Sequence, residues 1–359
     1  MRKAPKDGKT RFENQQTQPL REHRVFNNAK VVAEGWYPIC KSTQIKPGQA
    51  ESFKISYQRI LVYRTKAGKL AAMDAFCPHM GADLANGTVV GDNIQCYFHQ
   101  WQLGRDGKLA ATRCAVFPDG VQNQTWPVQE EYGYIWVYSA SEAAYPVPLP
   151  PGLSGQDIDY WNIANPTLFA HHHVMIVGGV DLLHFATVHG VDVDFELETE
   201  ESDRTALWKL DGKVPRVGWR SKVLHWLVGG RMNYHAKVAG GSYVALAYGP
   251  DLKWSWSNKP VPPLYIAWGC VADENGISQV RVFLVTKRGK GALGWIKAKL
   301  KLALTALLLW ILRDDDVKAF PYMRFNVGRL VKEDTSASRM IRFLNSQPIS
   351  SWSKLGEGE

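Results

Sequence analysis

Two groups of metal-ligating side chains, about a hundred residues apart, carry the chemistry open to this sequence. The first reads Cys77-Pro78-His79, then sixteen residues, then Cys96-Tyr97-Phe98-His99. Each half offers one thiolate and one imidazole. That donor set suits a [2Fe–2S] cluster with two thiolates on one iron and two imidazoles on the other. Neutral imidazoles leave such a cluster less negative than four thiolates would, so it accepts an electron more readily. Structural zinc also takes mixed Cys and His ligands. Its ligands usually pair as C-x2-C or H-x3-H, however, and a C-x-H opening is unusual for it.

The second group is Asp181-Leu182-Leu183-His184-Phe185-Ala186-Thr187-Val188-His189. Two imidazoles and an acid are the donors of a 2-His-1-carboxylate iron site, which keeps positions open for oxygen. On a regular helix His184 and His189 lie about 140° apart. They do not share a face, unlike the i, i+4 histidines of a zinc protease helix. Asp181 falls angularly between them. Either a π-type bulge distorts the helix here, or the histidines reach inward from its flanks. The alternative is an amphipathic helix that shows these polar residues to solvent.

The stretches from Asp74 to Gly81 and from Gly91 to His99 resemble the Rieske domains of aromatic-ring and steroid oxygenases. Rieske proteins of cytochrome bc complexes carry an extra, disulfide-bonded cysteine in each loop, and those cysteines are lacking here. Tyr97 and Gln100 stand where a Pro and a Gly are common. The resemblance to Rieske non-haem iron oxygenases runs from about Trp36 to Phe320. In that family the acid of D-x2-H-x4-H is not an iron ligand. It bridges by hydrogen bonds between an iron-ligating His and a cluster-ligating His of a neighbouring subunit. Carried over, His184 and His189 are ligands and Asp181 is the bridge. The family often has Asn three residues before that Asp, where this chain has Gly178.

A third iron ligand must then come from elsewhere. The segment Arg313-Asp314-Asp315-Asp316-Val317-Lys318-Ala319-Phe320 offers three acids. In the 3-ketosteroid hydroxylase branch the ligand opens a segment like D-V-E-I-W, which residues 316–320 resemble. Asp316 has Leu312 and Phe320 at i−4 and i+4, whereas Asp314 has Lys318 at i+4. Asp316 is the choice and Asp315 the second candidate.

The elements that must position these groups follow from pattern. From about Val31 to Tyr145, short β-branched and aromatic runs alternate with Gly and Asp turns, as in Ile60–Tyr63 before Ala67-Gly68-Lys69, and in Tyr134–Tyr138. Residues 1–30 read as a basic, mobile tail and 31–145 as the Rieske domain. The Pro-rich stretch 146–155 reads as a stiff linker and 156–359 as the catalytic domain. In the second domain strand-like segments at Val271 and Gln279–Val285 mix with helical ones. The eleven uncharged residues from Leu302 to Leu312 are too few to span a bilayer, which needs about 20. They suit a buried helix leading into the acidic run, with contact on a membrane surface as the second reading. Consecutive strand residues point to opposite faces, so His171-His172-His173 reads as strand surface and not as a ligand set. The fold class is α+β: an antiparallel β Rieske domain, then, as the resemblance implies, a helix-grip-like domain with a curved antiparallel sheet.

Composition bounds the partners. Net charge is +9, and the first thirty residues hold eight Lys or Arg against three acids. No nucleic-acid recognition motif accompanies this charge, and an acidic electron donor or an anionic membrane surface is the better use of it. Five cysteines are too few for a disulfide scaffold. Cys40, Cys114 and Cys270 then read as buried thiols of a reducing compartment. No apolar secretory segment opens the chain, so the expected location is cytoplasmic, with peripheral contact at the inner face of a membrane as a further expectation. The resemblance looks nearest to the 3-ketosteroid 9α-hydroxylase and cholesterol desaturase branch. It implies one [2Fe–2S] cluster and one Fe(II) per subunit, O2 as co-substrate, and a flavin-dependent NAD(P)H reductase, with or without a ferredoxin, as donor. It also implies a homotrimer and an apolar polycyclic substrate such as a sterol, steroid or terpenoid. A related oxygenase acting on a chlorophyll catabolite or aromatic ether is the first rival. A plain electron-transfer Rieske protein, which would leave His184, His189 and some two hundred residues unexplained, is the second.

Overall fold

Tyr243–Tyr248 (YVALAY) is buried along nearly its whole length, which a strand can be only if both faces of its sheet are covered. It lies in the middle of an eight-stranded antiparallel sheet. From one edge the strands run Ile158–Ala164, Ser278–Lys287, Leu264–Ala272, Tyr243–Tyr248, Arg231–Ala239, Thr205–Lys213 and Asp194–Glu201; Thr167–Leu168 adds to Ser278–Lys287. This computed structural model describes residues 24–113, 119–153, 157–188, 193–216 and 218–354.

Side chains alternate across the sheet with period two. Val244, Leu246, Ile266, Trp268 and Leu284 face one core with Val174, Ile176, Leu302, Phe320, Met340 and Leu344. Those partners come from four helical segments: α1 (His173–Gly178), α4 (Gly291–Ala319), the short turn at Phe320–Tyr322, and α5 (Thr335–Ser346). The described residues form two more α-helices, α2 (Leu182–Thr187) and α3 (Gly218–Val228). Tyr243, Ala245, Ala247, Tyr265 and Phe283 face the other way, onto Trp36, Tyr134, Trp136 and Tyr138. Small Ala on the sheet against large aromatics opposite is the interdigitation close packing demands. Each fully buried large apolar side chain contributes about 1.5–3 kcal/mol. The sheet stays open. Its edge strand Asp194–Glu201 shows Asp194, Glu196, Glu198 and Glu200 to solvent, charges that oppose pairing with another chain.

The N-terminal half is built from three small antiparallel sheets. Trp36–Lys41, Tyr134–Tyr138 and Val128–Glu131 form one, and Ala50–Ile55, Gln58–Arg64, Leu70–Asp74 and Thr125–Trp126 a second. The third joins Thr88–Val90, Asn93–Gln95, Gln102–Leu103 and Leu109–Ala111, and it carries one of the cysteine loops. The hairpin expected after Ile60–Tyr63 turns between Arg64 and Leu70, with Gly68 at φ +86°.

Two expectations change. The run from Leu302 to Leu312 is the middle of the 29-residue α4 and not a wholly buried helix. Leu302 and Thr305 are buried, but Leu304, Leu307 and Trp310 are more than half exposed. His171, His172 and His173 are not strand surface. They lead into α1 and all three are buried.

Candidate active site

Two loops of like construction hold the four ligands of the first motif. In one, Cys77 N–H donates to the Ala82 carbonyl (2.8 Å) and Gly81 N–H to the Cys77 carbonyl (2.9 Å). In the other, Cys96 N–H donates to the Trp101 carbonyl (2.8 Å) and Gln100 N–H to the Cys96 carbonyl (3.0 Å). The fourth residue after each cysteine must therefore turn left-handed, and Gly81 (φ +74°) and Gln100 (φ +58°) both do. Glycine adopts this conformation freely and glutamine does not. Cys77 and Cys96 are buried side by side, whereas His79 and His99 stand exposed at the mouth, ring centroids 4.6 Å apart. Burial pushes the Cys77 thiol up to about 11, with the neighbouring Cys96 adding to the rise. Trp101 stacks flat on His79 at 4.2 Å, and Phe98 tilts onto His99 at 3.9 Å. The motif did not single out Trp101, although an aromatic two residues after the second histidine was there to read.

The second site joins residues 132 apart in sequence. His184 Nε2, on α2, lies 2.9 Å from Asp316 Oδ1, near the end of α4. Two ligands at right angles on one metal, each ~2.1 Å from it, stand about 3.0 Å apart. Burial alone would lower the His184 pKa; the Asp316 carboxylate beside it wins, with Asp181 and a hydrogen bond to the Gly178 carbonyl assisting, and the value is raised. Asp181 precedes the helix instead of lying within it. Its Oδ1 accepts from the backbone N–H of Leu183 (3.1 Å) and of His184 (3.3 Å), so it caps α2 and bonds the His184 main chain. Its Oδ2 has no hydrogen-bond partner among the described residues. His189 and the side chain of Asp315 lie outside the described residues, as do Cys114 and the basic tail up to residue 23.

Aromatic rings wall this site. Phe320 meets the His184 ring edge-on at 5.6 Å, and Phe185, Tyr234 and Tyr248 continue the wall with centroids 5.1 and 5.9 Å apart. Gly178 explains how Phe320 comes so close. A Cβ built there would lie 2.5 Å from Phe320 Cζ, so the ring occupies the space a side chain at 178 would need.

Residues 35–122 match the Rieske [2Fe-2S] domain family. The chain carries a Rieske [2Fe–2S] domain. The cholesterol 7-desaturase nvd of Bombyx mori is 33% identical over 160 residues, covering 43% of this chain and 35% of that protein. The oxygenase component of a 3-ketosteroid-9-alpha-monooxygenase from Rhodococcus rhodochrous is 30% identical over 169 residues, 45% of each chain. The chain thus spans less than half the length of these two relatives. The crystal structure of dicamba monooxygenase bound to dicamba superposes with a TM-score of 0.55 over 89% of this chain and 97% of that one, at 13% identity, so the two share a fold.

The Rieske domain implies a [2Fe–2S] cluster, and its residues fit one. The buried Cys77 thiol, its pKa raised by burial, is inert on its own, and a bound metal would hold it as a thiolate beside the equally buried Cys96. The exposed imidazole pair beside them supplies the other half of the donor set. The histidines His171, His172 and His173 do not make a further metal site. Their nitrogens approach within 4.8 Å of one another, yet those lone pairs and protons are largely spent. His173 Nδ1 accepts from Asn27 N–H (2.9 Å), His171 Nδ1 accepts from His173 N–H (3.3 Å), and His172 bonds the Gly241 carbonyl at 2.8 Å and Ser278 Oγ at 3.3 Å. They are a hydrogen-bonded plug that ties the segment after Arg24 to α1.

Proposed function

We propose that this protein is the oxygenase component of a Rieske non-haem iron oxygenase, acting on an apolar polycyclic substrate of the sterol, steroid or terpenoid class. The convergence of His184 and Asp316 at 2.9 Å carries the reading, because an electron-transfer Rieske protein has no use for it. Cys77, Cys96, His79 and His99 would hold the cluster, and His184, His189 and Asp316 the Fe(II). When bound, the cluster supplies single electrons and the iron supplies oxygen activation.

The rest of the work belongs to the chain. A bond from the His184 ring to the Gly178 carbonyl would fix the tautomer, so that Nε2, which faces Asp316, is the nitrogen that would bind the metal. Phe185, Tyr234, Tyr248 and Phe320 would exclude water and present a flat wall to a flat substrate. The names of the two relatives, a cholesterol desaturase and a 3-ketosteroid monooxygenase, support a steroid-like substrate. Hydroxylation, desaturation and oxidative demethylation all suit such a site. We place Asp181 as the bridge to a neighbouring subunit's cluster, since one carboxylate oxygen caps α2 and the other is unbonded among the described residues. His79 and His99 touch each other, Trp101 and Phe98, and nothing on α2, so a cyclic homotrimer arranged head to tail would bring the two sites together. A separate flavin-dependent reductase would feed the cluster. Free, buried Cys40 and Cys270 suit a reducing, cytoplasmic setting.

The test separates the two acids. Asp316→Ala should lose the mononuclear iron, counted as iron beyond the two cluster irons, while the cluster's visible absorption persists. Asp181→Asn should keep that iron and slow single-turnover cluster oxidation by about 10–100-fold. An Asp316→Ala protein that retains its third iron, or an Asp181→Asn protein oxidised at the wild-type rate, removes the respective assignment.

A further inference from the structure

We propose that the outer face of α4 docks on an anionic lipid surface. Helix α4 packs its Ala298, Leu302 and Thr305 face inward against the eight-stranded sheet. Opposite that face, Leu293, Ile296, Leu300, Leu304 and Leu307 recur every three or four residues. At 100° per residue they form one stripe about 80° wide. All five are exposed, from 46% at Ile296 to 75% at Leu293. Trp295 and Trp310 flank the stripe on one side at 57% and 60% exposure, and aromatic belts of this kind mark the boundary between hydrocarbon and headgroups. Continuous apolar exposure over four turns is not how a helix faces bulk water.

Charge selects the occupant. From Lys287 to Arg313 the chain holds seven cations (Lys287, Arg288, Lys290, Lys297, Lys299, Lys301 and Arg313) and no acid. Lys297 and Lys301 fall on one flank of the stripe and Lys299 on the other, its ammonium 5.9 Å over the Trp295 ring. Cations on both sides of an apolar stripe match headgroup phosphates, at about 1 kcal/mol for each cation near an anionic surface. A second copy seated on the same stripe would set these cations against their own equivalents, which disfavours a symmetric pair. No helix among the described residues is long and apolar enough to cross a membrane, so the contact is one of lying on the surface. The same helix carries Asp316 near its C-terminal end, which places the lipid-facing stripe on the element that lines the proposed iron site.

The docking stands without the substrate assignment, and its test needs no turnover. The full chain with its cluster in place is floated with vesicles of phosphatidylcholine alone, or with about one-third phosphatidylglycerol, at low salt. Wild type should bind the anionic vesicles at least roughly tenfold better, and brominated lipid should quench tryptophan fluorescence. The Leu300→Ser/Leu304→Ser variant should keep the cluster's visible absorption yet lose binding at least roughly tenfold. Lys297→Gln/Lys299→Gln should lose the preference for anionic lipid. Equal binding by wild type and the leucine variant would overturn the proposal. So would concentration-dependent self-association that vanishes in that variant while no vesicle is bound, since a second copy would then cover the stripe.

Discussion

Acid should loosen this protein through three histidines that take no part in the proposed chemistry. Burial holds His171, His172 and His173 below the ordinary histidine value, His172 at about 4, and the outer pair is also repelled by histidine neighbours. Their surroundings, Ser278, Ala29, Val31 and the backbone of Gly241 and Asn27, offer no countercharge. Below about pH 6.5 the unfolded chain binds protons that the folded chain refuses, so stability present above that pH is lost as pH falls. For a folded value of about 4 against 6.5 unfolded, the loss between pH 7 and pH 5 is about 2 kcal/mol. His171 and His173, also held below the ordinary value, add to the loss in the same direction. His184 works the other way, its raised value favouring the folded state as pH falls. The comparison that isolates the plug is therefore wild type against His171→Phe, followed by urea unfolding at pH 7 and pH 5. The variant should lose less stability than wild type between pH 7 and pH 5. An unchanged difference between the two pH values would mean that His171 is not held neutral, and the burial argument would fail.

Three further outcomes follow from single contacts. Gln100→Gly relieves a left-handed glutamine in the second cluster loop and should raise stability by about 1 kcal/mol, read from thermal unfolding with the cluster bound. Gly178→Ala sets a methyl 2.5 Å from Phe320 and should cost about 1–3 kcal/mol and mononuclear iron, with Phe320→Leu in the same chain restoring both. Cys96→Ala should abolish the visible absorption of the cluster while the third iron is retained, because nothing described links that loop to His184.

The candidate cluster residues are legible because each thiol and its imidazole lie within three residues of one another, on loops whose turns are short-range. Such a motif needs no knowledge of the fold. The candidate iron site is another matter. Asp316 is one of three adjacent acids, and only resemblance and the apolar neighbours at i±4 pointed to it; the contact with His184 spans 132 residues and exists once α2 and α4 pack on the same sheet face. The spacing of His184 and His189 invites a distorted helix, and His189 lies outside the described residues; Asp181, expected between them on that helix, instead precedes α2 and caps it.

The misreadings share a physical cause. Residue type alone places polar side chains at the surface and apolar ones in the core. His171, His172 and His173 are buried because backbone groups of Asn27, Gly241 and His173 itself satisfy their nitrogens, partners that no local pattern reveals. Leu300, Leu304 and Leu307 are exposed because the opposite face of α4 already fills the space against the sheet. A helix that is apolar all round reads as buried in sequence. Here one face is buried in protein, and Lys297, Lys299 and Lys301 on the flanks of the other name the surface that would bury the rest.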